Sequence, residues 1–74
     1  MPWSTPFREP IAAPSGRALH TLRDAADYCA RLPKRDALRP EWQMAADLLM
    51  KAEKTGGLYV DMARIAMLKA LGNN

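Results

Sequence analysis

The amino-acid sequence predicts an α+β fold, in which an N-terminal β-hairpin is followed by three α-helices. Three observations support this prediction. A short extended segment near the N-terminus contains a turn with proline and glycine, three apolar stripes at helical spacing follow it, and Pro or Gly residues separate those stripes. The predicted connections are short, so we expect mostly local contacts in a small domain.

The hairpin is predicted from a single turn. Residues 13 to 16, Ala-Pro-Ser-Gly, suit a type I turn in which Gly16 takes a left-handed conformation and closes a three-residue loop. This turn sets Ile11 opposite Leu19 and Ala12 opposite Ala18. A lone two-stranded ribbon is marginal in water, so the hairpin must pack against helices. The predicted strands cover about 7–13 and 17–21.

Each helix is predicted from an apolar stripe and from the residues at its ends. Thr21 and Asp24 resemble a capping box at the start of the first helix, and Pro33 ends it. Pro40 suits the first turn of the second helix, and two glycines at 56 and 57 end that helix. The predicted helices cover about 22–32, 40–54 and 58–71.

The third predicted helix is the most apolar part of the chain. Eleven residues of the fourteen in 58–71 are apolar, and Asp61, Arg64 and Lys69 do not form a cleanly polar face. Such a helix is normally buried on several sides, so it either forms the centre of the core or completes its burial against a second molecule. The predicted protein interface consists of Val60, Ile65, Leu68 and Met50.

Length and composition limit the classes of function. The 74 residues allow one domain, assigned to 7–72, after a loose N-terminal arm at 1–6. One cysteine, Cys29, and one histidine, His20, provide neither a disulfide nor a four-ligand zinc site, so no cofactor is predicted. No nucleophile–base set accompanies either residue, which predicts a non-enzymatic protein.

The expected location is the cytoplasm. A single thiol fits a reducing compartment, and the first ten residues lack the apolar segment of a signal peptide. No apolar run reaches the length that crosses a bilayer, so no membrane association is predicted.

The connector between the first two predicted helices is basic, and the net charge of the chain is +3. The connector, 33–39, has seven residues, which argues against a helix-turn-helix, in which the turn usually has three or four residues. Glu41 at the start of the next helix would also face phosphates unfavourably. Weak nucleic-acid binding is therefore the alternative function, and its predicted contacts are Arg31, Lys34, Arg35 and Arg39.

The sequence combines an extended pair around a Gly turn, a first helix with Asp24-Ala25-Ala26, an Ala-rich second helix, and Ala63-Arg64-Ile65-Ala66-Met67 in the third. With these features, over about 7–71, the chain resembles a family of short proteobacterial proteins known as domain of unknown function 982. In that family the first helix closes with Trp-Pro and the third carries Phe after Ala-Arg-x-Ala, so Leu32 and Met67 depart from its pattern. The resemblance implies a fold but no activity, cofactor or catalytic residue.

The function expected from these observations is a small protein-interaction module. Surplus apolar surface on helix 58–71 favours association, which would also stabilise a domain with a small core. The expected partner is a second copy of the chain or another, unidentified protein.

Overall fold

The computed structural model describes residues 3–14 and 16–72 and confirms the α+β class. Each of the three predicted helices is present, with ends within two residues of the expected positions. A fourth helix of a single turn, 34–37, was not predicted. In chain order the elements are β1 (Pro6–Ala12), β2 (Ala18–Thr21), α1 (Leu22–Ala30), α2 (Lys34–Ala37), α3 (Pro40–Thr55) and α4 (Leu58–Ala70).

The hairpin has the predicted register next to its turn. Ile11 pairs with Leu19, and Ala12 pairs with Ala18, in an antiparallel arrangement. The loop is closed by two backbone hydrogen bonds, from Ala13 N to Arg17 O and from Gly16 N to Ala13 O, both 2.9 Å long. Gly16 has a φ of 89°, a conformation that favours glycine. Ser15, in the middle of the predicted turn, lies outside the described residues.

The far end of the hairpin departs from a regular ladder. Pro6 pairs with Thr21, so the register shifts between Pro6 and Ile11 and several residues of β1 stand opposite His20. Pro10 lies in this irregular stretch, and its nitrogen cannot donate a hydrogen bond to a ladder. Phe7 and Ile11 are nevertheless both buried.

Thr21 caps α1 as the sequence predicts. Its side-chain oxygen accepts a hydrogen bond from Asp24 N at 3.2 Å. The carboxylate of Asp24 accepts in turn from His20 N at 3.0 Å, one residue earlier than in the usual capping box. The reciprocal bonds fix the angle at which β2 enters α1.

The described part of the N-terminal arm contacts the start of α1. Leu22 N donates to Thr5 O at 3.0 Å, and Arg23 N donates to Trp3 O at 2.8 Å. The first amides of a helix have no partner within the helix, so these carbonyls supply acceptors that the sequence did not lead us to expect. Trp3 also packs against the core.

The basic connector is partly helical. Asp36 N and Ala37 N both donate to Pro33 O at 2.9 Å, which closes the single turn of α2. We expected an irregular loop here because four residues are too few to show a helical period. The turn shortens the span between α1 and α3.

One apolar core joins all the larger elements. The most extensive contact is between α3 and α4, while β1 packs on α4 and β2 packs on α1. Tyr28 of α1 and Trp42 of α3 bring their rings to 5.7 Å. Within the described residues, no helix is long and apolar enough to cross a membrane. The largest side chains that are fully buried belong to Ile11, Leu22, Leu49 and Met67.

Candidate interaction surface

The inner face of α4 is fully used in the monomer. Its buried residues recur at helical spacing and pack in the common core: Val60, Ala63, Ala66 and Met67. Two of the four are alanines, and α3 contributes buried alanines at 45 and 52. Small side chains let two helix axes approach closely, so α4 is held firmly against α3.

The charged side of α4 faces β1. Arg64 donates from Nε to Glu9 O at 3.1 Å and from a terminal nitrogen to the Glu9 carboxylate at 3.0 Å. Asp61 accepts from Arg8 at 3.4 Å. Arg64 therefore fastens the helix to the hairpin, whereas Asp61, whose side chain is 36% exposed, lies at the border of the solvent side and forms a more exposed pair.

The solvent side of α4 is left apolar. Leu58, Met62 and Ile65 lie at positions i, i+4 and i+7, which places them in one row along the helix, and we call this row the outer stripe. Their exposed fractions are 78%, 46% and 50%. The solvent face of a surface helix is normally polar. Here the first polar residue of the row is Lys69, one turn beyond Ile65.

The structure divides the four predicted interface residues. Val60 lies in the core and Leu68 is half-buried against it, so neither offers much surface to a partner. Ile65 belongs to the outer stripe. Met50 is exposed, but it lies on α3 and not in the stripe.

Sequence reasoning missed Leu58 and Met62. Their spacing from Ile65 was visible, but every face of the helix was rich in apolar residues, so spacing alone did not say which face remains exposed. Two tertiary facts decide it: which face of α4 is buried in the core, and the contacts of Asp61 and Arg64 with residues of the hairpin more than fifty positions away.

The four predicted nucleic-acid contacts are all exposed and lie between the end of α1 and the start of α3. Arg39 forms an ion pair of 3.8 Å with Glu41. Among the residues that the structure describes, Arg31, Lys34 and Arg35 form no ion pair. These three cations define the free basic surface.

A groove of about 360 Å³ lies beside this basic surface, between β2 and the second half of α1. Arg17 and Arg31 line it together with Asp24 and Asp27, and Leu19 contributes to its apolar part. Two arginines are thus offset by two aspartates. The groove has no net charge to attract a phosphate.

Neither residue considered for catalysis stands in a catalytic arrangement. His20 is exposed on β2, and its backbone nitrogen donates to the Asp24 carboxylate. Cys29 is half-buried, and its Sγ lies 3.8 Å from Met67 Sδ. Burial raises the pKa of the Cys29 thiol from 9.0 to about 11, which disfavours the nucleophilic thiolate.

The described residues contain no group of three or more His, Cys, Asp and Glu placed to hold a metal ion. Comparison with known proteins adds no further assignment. No family model matches the chain, and neither a curated protein nor a solved structure matches it.

Proposed function

We propose that the protein is a non-enzymatic interaction module that associates with a second copy of itself through the outer stripe of α4. The observation that carries the proposal is the exposure of Leu58, Met62 and Ile65 in one row on a well-packed helix. Single exposed apolar residues are common on surfaces. A contiguous row of three over two helical turns is a marker of a contact surface.

The way in which α4 is held also favours binding. Its inner face is buried against α3, and Arg64 ties it to β1. The backbone that carries the outer stripe is therefore already ordered, so association costs little additional conformational entropy. Three side chains from each copy form a smaller contact than a standard interface, and we expect a weak dimer whose population depends on concentration.

Sedimentation velocity over a concentration series tests self-association. We expect the average mass to rise toward that of a dimer. Met62→Lys and Ile65→Lys should keep the chain monomeric, with the melting temperature of wild type at a dilution where it is also monomeric. Met44→Lys is the matched control, because Met44 is an exposed methionine on α3 outside the stripe. A wild-type chain that stays monomeric up to roughly millimolar concentration would contradict the proposal.

We also propose that the protein works in the cytoplasm. Its one cysteine is a free, half-buried thiol, which suits a reducing compartment. The resemblance to domain of unknown function 982, and with it a bacterial origin, stays a prediction.

Nucleic-acid binding is the second candidate, and one observation favours it. Arg31, Lys34 and Arg35 are exposed and free of ion pairs within the described residues, so they could neutralise phosphates without breaking existing contacts. The acids of the adjacent groove weaken the local positive potential. Any such binding should depend mainly on charge and not on base sequence.

A salt titration tests this candidate. Affinity for a short duplex or single strand should fall steeply between low and physiological salt, and Lys34→Glu with Arg35→Glu should abolish it. The matched control is Arg23→Glu with Lys51→Glu, which changes the net charge equally at exposed sites elsewhere. Equal loss in both double variants would show that net charge alone acts, and the basic connector would then not be a site.

A further inference from the structure

Assuming that the chain self-associates through the outer stripe, as proposed above, we infer that the two copies of α4 pack antiparallel and cross at Ile65. In this arrangement Asp61 of each copy lies opposite Lys69 of the other.

The positions of the two charges on α4 determine this pairing. Asp61 lies four residues before Ile65, and Lys69 lies four residues after it, so each is about one turn away from Ile65. In a two-fold symmetric antiparallel pair, a residue before the crossing point faces the residue equally far beyond it in the partner. The two Ile65 side chains then meet, with one Asp61–Lys69 pair on each side. Met62 faces Leu68 of the second copy, and Leu58 lies at the end of the contact, opposite residue 72.

The opposite orientation is electrostatically unfavourable. In a parallel two-fold pair each residue of α4 faces its own copy, so Asp61 would face Asp61 and Lys69 would face Lys69. Like charges placed opposite each other are destabilising. The charge pattern of α4 therefore selects the antiparallel orientation.

Both charges are accessible for such a contact. Lys69 is exposed and forms no ion pair with any residue that the structure describes. The side chain of Asp61 is 36% exposed, and its partner Arg8 is 82% exposed at a distance of 3.4 Å. An ion pair as exposed as Asp61–Arg8 contributes little, so the Asp61 carboxylate can accept a second cation without a large loss.

Complementary charge reversals test the pairing. Asp61→Lys alone places lysines opposite each other, and Lys69→Glu alone places acids opposite each other. The dimer affinity of each variant should therefore be at least roughly tenfold lower than that of wild type. An equimolar mixture of the two variants restores two opposite-charge contacts and should recover the wild-type dimer content. Arg8→Ala is the control, because it removes the Asp61–Arg8 pair without changing α4.

Cysteine cross-linking gives a second, independent measurement in a Cys29→Ala background. Ile65→Cys should form a disulfide-linked dimer under mild oxidation, because the two residues meet at the crossing point. Leu58→Cys should not, because the two copies of residue 58 would lie roughly 21 Å apart along the helix axis, fourteen residues at 1.5 Å.

The outcomes separate the two proposals. If wild type dimerises and Ile65→Lys prevents dimerisation, the outer stripe is the interface. If, in addition, the mixed variants do not recover the dimer or Leu58→Cys cross-links efficiently, the antiparallel pairing is wrong. If wild type does not dimerise at all, both proposals fail. Melting temperatures of all the variants identify any loss of dimer that results from unfolding.

Discussion

Arg64 and Glu9 join the two ends of the fold. The guanidinium of Arg64 donates both to the backbone carbonyl of Glu9, at 3.1 Å, and to its carboxylate, at 3.0 Å. The Arg64 side chain is only 24% exposed, while that of Glu9 is 73% exposed. Because the arginine lies under the edge of the hairpin, this contact holds the charged side of α4 against β1.

Replacing Arg64 by Met should destabilise the protein by about 1–2 kcal/mol. Met keeps much of the apolar stem, but both hydrogen bonds are lost, and bonds to charged groups are worth more than neutral ones. Glu9→Gln keeps the bond to the carbonyl and should cost about 0.5 kcal/mol or less, as for an exposed ion pair. Urea unfolding measures both effects, and Lys69→Met is the control on the same helix. Equal losses for Arg64→Met and Lys69→Met would show that the contact with Glu9 contributes nothing.

Gly57 supports a second prediction about stability. Its backbone has a φ of 59° and a ψ of −133°, and a Cβ built there would touch nothing within 4 Å. Any cost of Gly57→Ala must therefore come from the backbone conformation, and we expect about 1–3 kcal/mol. The loss should appear as a lower urea midpoint with an unchanged slope.

A synthetic chain with D-alanine at position 57 is the control for this prediction. The mirror image of the Gly57 conformation is an ordinary extended one for an L-residue, so D-alanine adopts it without strain. We expect stability equal to or slightly above that of wild type. If D-alanine and L-alanine destabilise the chain equally, the positive φ is not the cause.

The helices and the turn-proximal register could be predicted because local residues determine them. Thr21 begins α1, Pro40 lies at the start of α3, and the pair of glycines separates α3 from α4, each through chemistry contained within a few residues. The same holds for Ile11 opposite Leu19, which follows from the loop length. The register shift between Pro6 and Ile11 was not predicted. Pro10 lies in this stretch, but one proline does not specify how many residues leave the ladder.

The outer stripe could not be assigned because its definition is not local. Asp61 and Arg64 look like solvent-facing charges until their partners Arg8 and Glu9 are known. The inner face of α4 is buried in the core and the charged side meets β1, so the remaining apolar side faces solvent. The sequence shows that the helix has more apolar residues than are required to pack one of its faces into the core. Only the tertiary contacts decide which of these residues remain exposed.

Cys29 gives a prediction about pH. Burial raises the pKa of its thiol from 9.0 to about 11, and only the thiolate is nucleophilic. In native protein the alkylation rate with iodoacetamide should therefore keep rising up to about pH 11, whereas in urea it should level off near pH 9. The unfolded chain loses this proton first, so the contribution of Cys29 to stability is complete below pH 9 and is lost as the pH rises toward 11. Cys29→Ala should lack this part of the alkaline destabilisation, and a native rate that levels off near pH 9 would contradict the raised pKa.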